Sequence, residues 1–155
     1  MGFYQRLGVC RMSTDLLVLF NTPMPSVQIW EAKAAQLGFP LTFDRRFSPG
    51  KDSGTFPMTV GDVVAAPEFF LEKDQTTVYY GSSLTHGPWK HQALFTFGSY
   101  PPEFVATTFA TVSLAIVTNG VIFAPDTNLY LAPDFPKLLA GNELVCPNLA
   151  CIYKR

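Results

Sequence analysis

From Phe104 to Val117 the chain runs without a single charged residue. Val105, Phe109, Val112 and Ile116 recur in that stretch at the spacing of one helix face. Its other faces carry Ala, Thr and Ser, with Thr107, Thr108, Thr111 and Ser113 among them. A helix with no charged side has no side suited to water, so it must be covered widely. The stretch falls short of the ~20 apolar residues that a membrane span needs. It therefore reads as the buried helix of a soluble domain. Ser99 precedes it, Pro101-Pro102-Glu103 opens it and Asn119-Gly120 ends it, which predicts a helix over 101–119.

The rest of the chain must build the cover. Asp15 to Phe20 (DLLVLF) is a short continuous apolar run, the mark of a central strand buried on both faces. Asn21-Thr22-Pro23 breaks it, and Thr22 or Ser26 can cap the helix that follows. Val27, Trp30, Ala34 and Leu37 form its apolar stripe, and Gly38 stops it. Leu41–Phe43, Glu68–Glu72, Thr76–Tyr80 and Gln92–Phe97 read as strands, and Thr55–Val60 as a short extended piece. Asp62 to Pro67 suits a helix or a strand. Val121–Ala124 and Leu129–Leu131 flank a Pro-Asp-Thr-Asn turn and predict a hairpin. A short last helix is expected over Phe135 to Ala140.

Strands segregated around two main helices argue for an α+β fold. The expected form is a single antiparallel-rich sheet with both helices on one face, a ferredoxin-like or related sandwich. At 155 residues the chain suits one domain, with 13–155 as its body and 1–12 as a mobile extension. Met12 is an alternative start.

Charged residues are 15 % of the chain, below the usual ~25 %, and the fourteen Phe are many. This composition predicts a large aromatic core or an apolar patch that meets a partner. The net charge is −1 and the densest basic spot is Arg45-Arg46, beside Asp44. Nucleic acid is a poor partner for such a chain, because phosphate binding depends on clustered Lys and Arg. The N-terminus is too short and too polar for an export signal. Cys10, Cys146 and Cys151, an odd and small set, suggest a reducing compartment and a cytoplasmic location.

No constellation carries recognisable chemistry. His86, His91, Cys146 and Cys151 could imitate a zinc set, but Pro88 interrupts the histidines and they precede the cysteines, so no metal is expected. Ser82-Ser83 lacks the nucleophile elbow, and the glycines form no phosphate-binding loop, so no cofactor is expected either. Glu68 and Glu72 fall on one face of a strand with Asp62 near in sequence; exposed strand acids that protect an edge explain them as well as acid–base work does.

The most distinctive surface candidate is His86-Gly87-Pro88-Trp89-Lys90-His91. A Trp on a loop between titratable residues can anchor a partner, and Tyr79, Tyr80 and Tyr100 would extend that surface. The competing expectation is that Trp89 folds back on the sheet as a lid. Trp30, on a helix stripe, belongs to the core.

Glu68-Phe69-Phe70-Leu71-Glu72, the strand Leu94 to Phe97, and Ala106 to Pro125 with its Thr118-Asn119-Gly120-Val121-Ile122-Phe123-Ala124-Pro125-Asp126 ending resemble small uncharacterised bacterial proteins of the immunity type. The resemblance covers about half the chain. It implies a non-enzymatic protein that binds a cognate toxin, and it transfers no site residue. The alternative is a small enzyme or ligand-binding domain with a pocket between sheet and helices and no linear motif.

Overall fold

The computed structural model describes residues 13–73 and 89–124, and the backbone of 129–131. The elements in chain order are β1 (Thr14–Phe20), α1 (Val27–Gln36), β2 (Leu41–Phe43), β3 (Gly54–Thr55), β4 (Met58–Val60), β5 (Val63–Ala65), β6 (Glu68–Glu72), β7 (His91–Phe97), α2 (Pro101–Thr118), β8 (Val121–Ala124) and β9 (Leu129–Leu131). The class is α+β, as expected. The expected strand over Thr76–Tyr80 and the last helix lie outside the described residues, as do Cys10, Cys146 and Cys151.

The expectation of a single sheet needs correction, for there are two. One has six strands in the order β3-β6-β7-β1-β8-β9, the other three in the order β2-β4-β5. Every pairing is antiparallel. In the second sheet β2 is the expected strand Leu41–Phe43, β4 lies in the expected extended piece Thr55–Val60, and β5 forms in the segment whose sequence suited helix or strand equally. Gly61 takes a φ of +63°, as the first central residue of a tight two-residue hairpin can, and Val60 pairs with Val63 across that turn. β2 then joins the hairpin, with Leu41 opposite Val60.

In the larger sheet β7 and β8 flank β1, each antiparallel to it, so they run parallel to one another and α2 makes the crossover. In the same way β1 and β6 flank β7, and α1 lies on the connection between them. The interior position of β1 explains its continuous apolar run. Leu17, Val18, Leu19 and Phe20 are all fully buried, two on each face.

Val18, Phe20, Ala93, Phe95, Phe69 and Ile122 face one way and share a core with both helices and with Leu41, Phe43, Met58 and Val60 of the smaller sheet. α2 lies at its centre. It packs on α1, on β1, β7 and β8, and on the smaller sheet, so every residue from Val105 to Ala115 is buried. This is why no face of it carries charge. By length and composition α2 could cross a membrane, yet 67 % of it is buried inside the fold, as a core helix is. Four of its hydroxyls bond within the helix: Thr108 donates to the Phe104 carbonyl, Thr111 to Thr108, Ser113 to Phe109 and Thr118 to Leu114, whereas the buried Thr107 hydroxyl has no partner among the described residues. Ile116, expected to be buried, is only partly so, at the frayed side of the stripe.

α1 begins at Ser26, whose hydroxyl accepts the Ile29 N–H, and ends before Gly38, at φ +81°. Of the two expected caps, Thr22 and Ser26, the helix uses the second and starts where the stripe does, at Val27. Its Trp30 is fully buried. The indole N–H donates to the Ala110 carbonyl and to the Ser113 hydroxyl, both at 3.0 Å, and rivets α1 to α2.

Candidate functional site

Of the six candidate surface residues, Tyr79, Tyr80 and His86 lie outside the described residues. The other three do not form one patch. Trp89 is 7 % exposed and packs on Leu17, Leu19 and Phe123, on the sheet face away from the helices. It is a lid and not a presented anchor, which corrects the expectation that the loop would hold it out. The following residue explains the turn: the Lys90 N–H donates to Asn21 Oδ1 at 2.8 Å, tying the start of β7 to the end of β1 and laying Trp89 over their apolar side. Tyr100 is 51 % exposed at the cap of α2. His91 sits at the opposite end of β7, roughly 20 Å away at the rise of an extended strand.

The expected acid pair also stays apart. Glu68 stands opposite Thr96 and Glu72 opposite Gln92, about 13 Å from one another along β6. Asp62 is in the β4–β5 turn of the other sheet. Carboxylates at that separation cannot share a proton or straddle one scissile bond. Among the described residues no three His, Cys, Asp or Glu side chains gather as metal ligands.

Two features that no linear motif announces remain. The first is a cavity of about 350 Å³ lined by Pro23, Met24, Gly50, Leu71, Lys73 and His91. The β6–β7 register, in which Glu72 pairs with Gln92, carries on to set Lys73 beside His91. Lys73 donates its ammonium to the Gly50 carbonyl. The His91 ring is 5.2 Å from that of Phe20, and its Nδ1 is buried without a hydrogen-bond partner. Burial, then the charges of Lys73 and Lys90, lower its pKa, so the ring is neutral at neutral pH. A second hollow of about 370 Å³ between α1 and β2 is crossed by Glu31, whose carboxylate accepts both Arg45 N–H groups and the Phe43 N–H. That carboxylate is fully used in holding α1 to β2.

The second feature is the free edge of the smaller sheet. β2 and β5 are its two outer strands, and on the β5 side Val63 and Val64 are exposed, Val64 to 64 %. Val60 and Val63 close the two-residue turn, so the next pair, Thr59 and Val64, is a non-hydrogen-bonded one. The Val64 N–H and C=O therefore point away from β4, and no described backbone group pairs with them.

Comparison with protein-family models, with curated proteins and with solved structures finds no match to this chain, so the reading of its function rests on these two features and the fold that holds them.

Proposed function

We propose that this chain is a non-enzymatic protein-binding domain on a ferredoxin-like core, and that its partner adds an extended segment to the free edge of β5. The strand order β6-β7-β1-β8 with α1 and α2 on the two crossovers supports the ferredoxin-like description. The smaller sheet is then an insertion in the first crossover. An inhibitor of a cognate bacterial toxin, of the immunity type that the sequence resembles, is the role put forward.

The observation that carries the reading is the edge itself. Folded proteins protect an outer strand with Lys, Pro, a bulge or a covering element, or by keeping it very short. β5 is short, at three residues, but it offers two exposed valines beside backbone groups that no described residue takes up. A partner strand would take up the Val64 N–H and C=O and cover the Val64 side chain, which is how strand addition joins main-chain affinity to side-chain selection. With a net charge of −1, long-range steering has little part in this mode.

The test is amide hydrogen exchange on the protein bound to a partner isolated from the cells of origin. The Val64 amide should exchange freely in the free protein and become protected in the complex. Val64→Lys and Val64→Pro should each weaken the complex tenfold or more and leave the thermal midpoint unchanged. Protection that falls on other elements and spares Val64 would remove the edge from the proposal.

A further inference from the structure

We infer that the cavity between Lys73 and His91 binds a small organic anion, a carboxylate on a short apolar chain, with the carboxylate against the Lys73 ammonium and the chain on Pro23, Met24 and Leu71. Nothing in the proposed protein contact at β5 requires this site, which belongs to the other sheet.

The charges come first. Lys73 follows β6 directly, Lys90 precedes β7 and His91 begins it, so the antiparallel register gathers three basic side chains at one corner. The described acids are turned elsewhere. Glu72 points to the opposite face with Gln92, Asp15 takes the Thr96 hydroxyl at the far end of β1, and Asp52 accepts the Ser48 N–H. Glu31 and Asp44 are paired with Arg45 and Arg46. Among the described residues neither Lys73 nor Lys90 has an ion-pair partner.

The geometry then selects the ligand. The Lys73 ammonium is fixed by its bond to the Gly50 carbonyl and keeps two N–H groups for another acceptor. The cavity volume is near the lower end for ligand sites, which suits a chain of a few carbons. Its remaining wall is a proline, a leucine and a methionine, the last able to adjust to the chain that enters. A single anchored ammonium beside apolar wall suits a monoanion. A phosphate dianion would lose more hydration than one ammonium and a neutral ring restore. The unpartnered His91 Nδ1 adds a second response, because a nearby carboxylate favours the protonated ring, in which both nitrogens donate.

Hexanoate is the probe, followed by NMR on the intact chain through the His91 ring and the Leu71 and Met24 methyl groups. Saturable shifts of all three are expected with a Kd of roughly 1–10 mM, the range a ligand of that size reaches. Hexanol and inorganic phosphate should each bind at least tenfold more weakly. Lys73→Gln, at an exposed position, should weaken hexanoate tenfold, leave hexanol unchanged and keep the thermal midpoint. Absence of saturable shifts overturns the inference. So does hexanol binding as well as hexanoate, which would make the cavity merely greasy, or phosphate binding as well, which would make it a bare cationic patch.

Discussion

Replacing Trp30 tests the packing at its centre. The side chain is fully buried, and its ring lies 4.6–6.2 Å from those of Phe43, Phe56, Phe69 and Phe95, so it touches both sheets as well as α2. Trp30→Ala should cost about 3–5 kcal/mol, the range for aromatic truncation in a core that cannot collapse. For a chain of this length that lowers the melting temperature by roughly 6–20 °C. Trp30→Phe separates the indole N–H from the bulk of the ring. It removes about 40 Å³, or ~1 kcal/mol at about 24 cal/mol per Å³, and the two hydrogen bonds add about 1–2 kcal/mol. The acceptors are not orphaned, since Ser113 Oγ still donates to the Phe109 carbonyl and Ala110 stays within the helix ladder. The expected loss is therefore ~2–3 kcal/mol. Urea unfolding followed by far-UV circular dichroism measures both, with m unchanged if only the native state is affected. A loss below ~1 kcal/mol for the alanine variant would refute a core centred on this residue. Equal losses for Phe and Ala would show that the hydrogen bonds, and not the ring contacts, hold the helices together.

Three further outcomes follow from particular positions. Gly120→Ala should prevent folding or cost several kcal/mol, because a Cβ there would drive into the Leu19 carbonyl and crowd Phe20 on β1; a thermal midpoint near that of wild type would mean that β1 and the end of α2 lie farther apart. Val112→Ala should cost about 1–3 kcal/mol and Ile116→Ala less than its larger volume suggests, since Val112 is buried and Ile116 only partly so; the reverse order in urea midpoints would rotate the helix. The lowered pKa of His91 makes the unfolded chain the better proton binder around and below the ordinary imidazole value of 6.5, so stability is whole above that pH and declines as pH falls through it; His91→Gln should flatten the decline between about pH 7.5 and 5.5, and an unaltered slope would assign it to other groups.

Sequence pattern revealed the elements that are buried on all sides. Leu16–Phe20 and Phe104–Val117 advertise themselves because wide cover removes charge from their positions, and both occupy the places that pattern implies. Leu41–Phe43 and the extended piece over Thr55–Val60 were legible as β2 and β4, but their union with β5 in a second sheet was not, for the three strands have three residues each, too few for a period of two to show which face or neighbour they take. Their pairing depends on α2 and on Gly61, and the sequence around Asp62 was equally good helix. Gly120 was legible only as a stop. Asn119 is the residue that takes the left-handed turn, at φ 54°, while Gly120 is required for its lack of a side chain against β1. Nor could spacing show the cavity: Lys73 and His91 are far apart in the chain and are joined by strand register alone. Trp89 was misjudged because it precedes its strand, where no alternation says which face a side chain takes.

The aromatic surplus, which in the bare sequence argued equally for a core or for a binding patch, is now accounted for differently. Phe20, Phe43, Phe47, Phe56, Phe69, Phe95 and Phe109 all belong to the one cluster between the two sheets. A helix covered on three sides needs this much apolar volume, and it also lowers the charged fraction, so composition carries no information about a partner. The exposed large apolar side chains among the described residues are Ile29, Val63, Val64 and Tyr100. Ile29 and Tyr100 stand singly, which is ordinary for a protein surface. Val63 and Val64 are adjacent, on the outermost strand of a sheet, beside a backbone donor and acceptor that nothing in the described fold uses. Exposure of apolar side chains and of backbone groups that no described residue pairs with coincide there, on a strand of three residues that is too short to template a long pairing but long enough to take one extended segment. That coincidence, and not the number of aromatic residues, is the physical argument for a partner at β5.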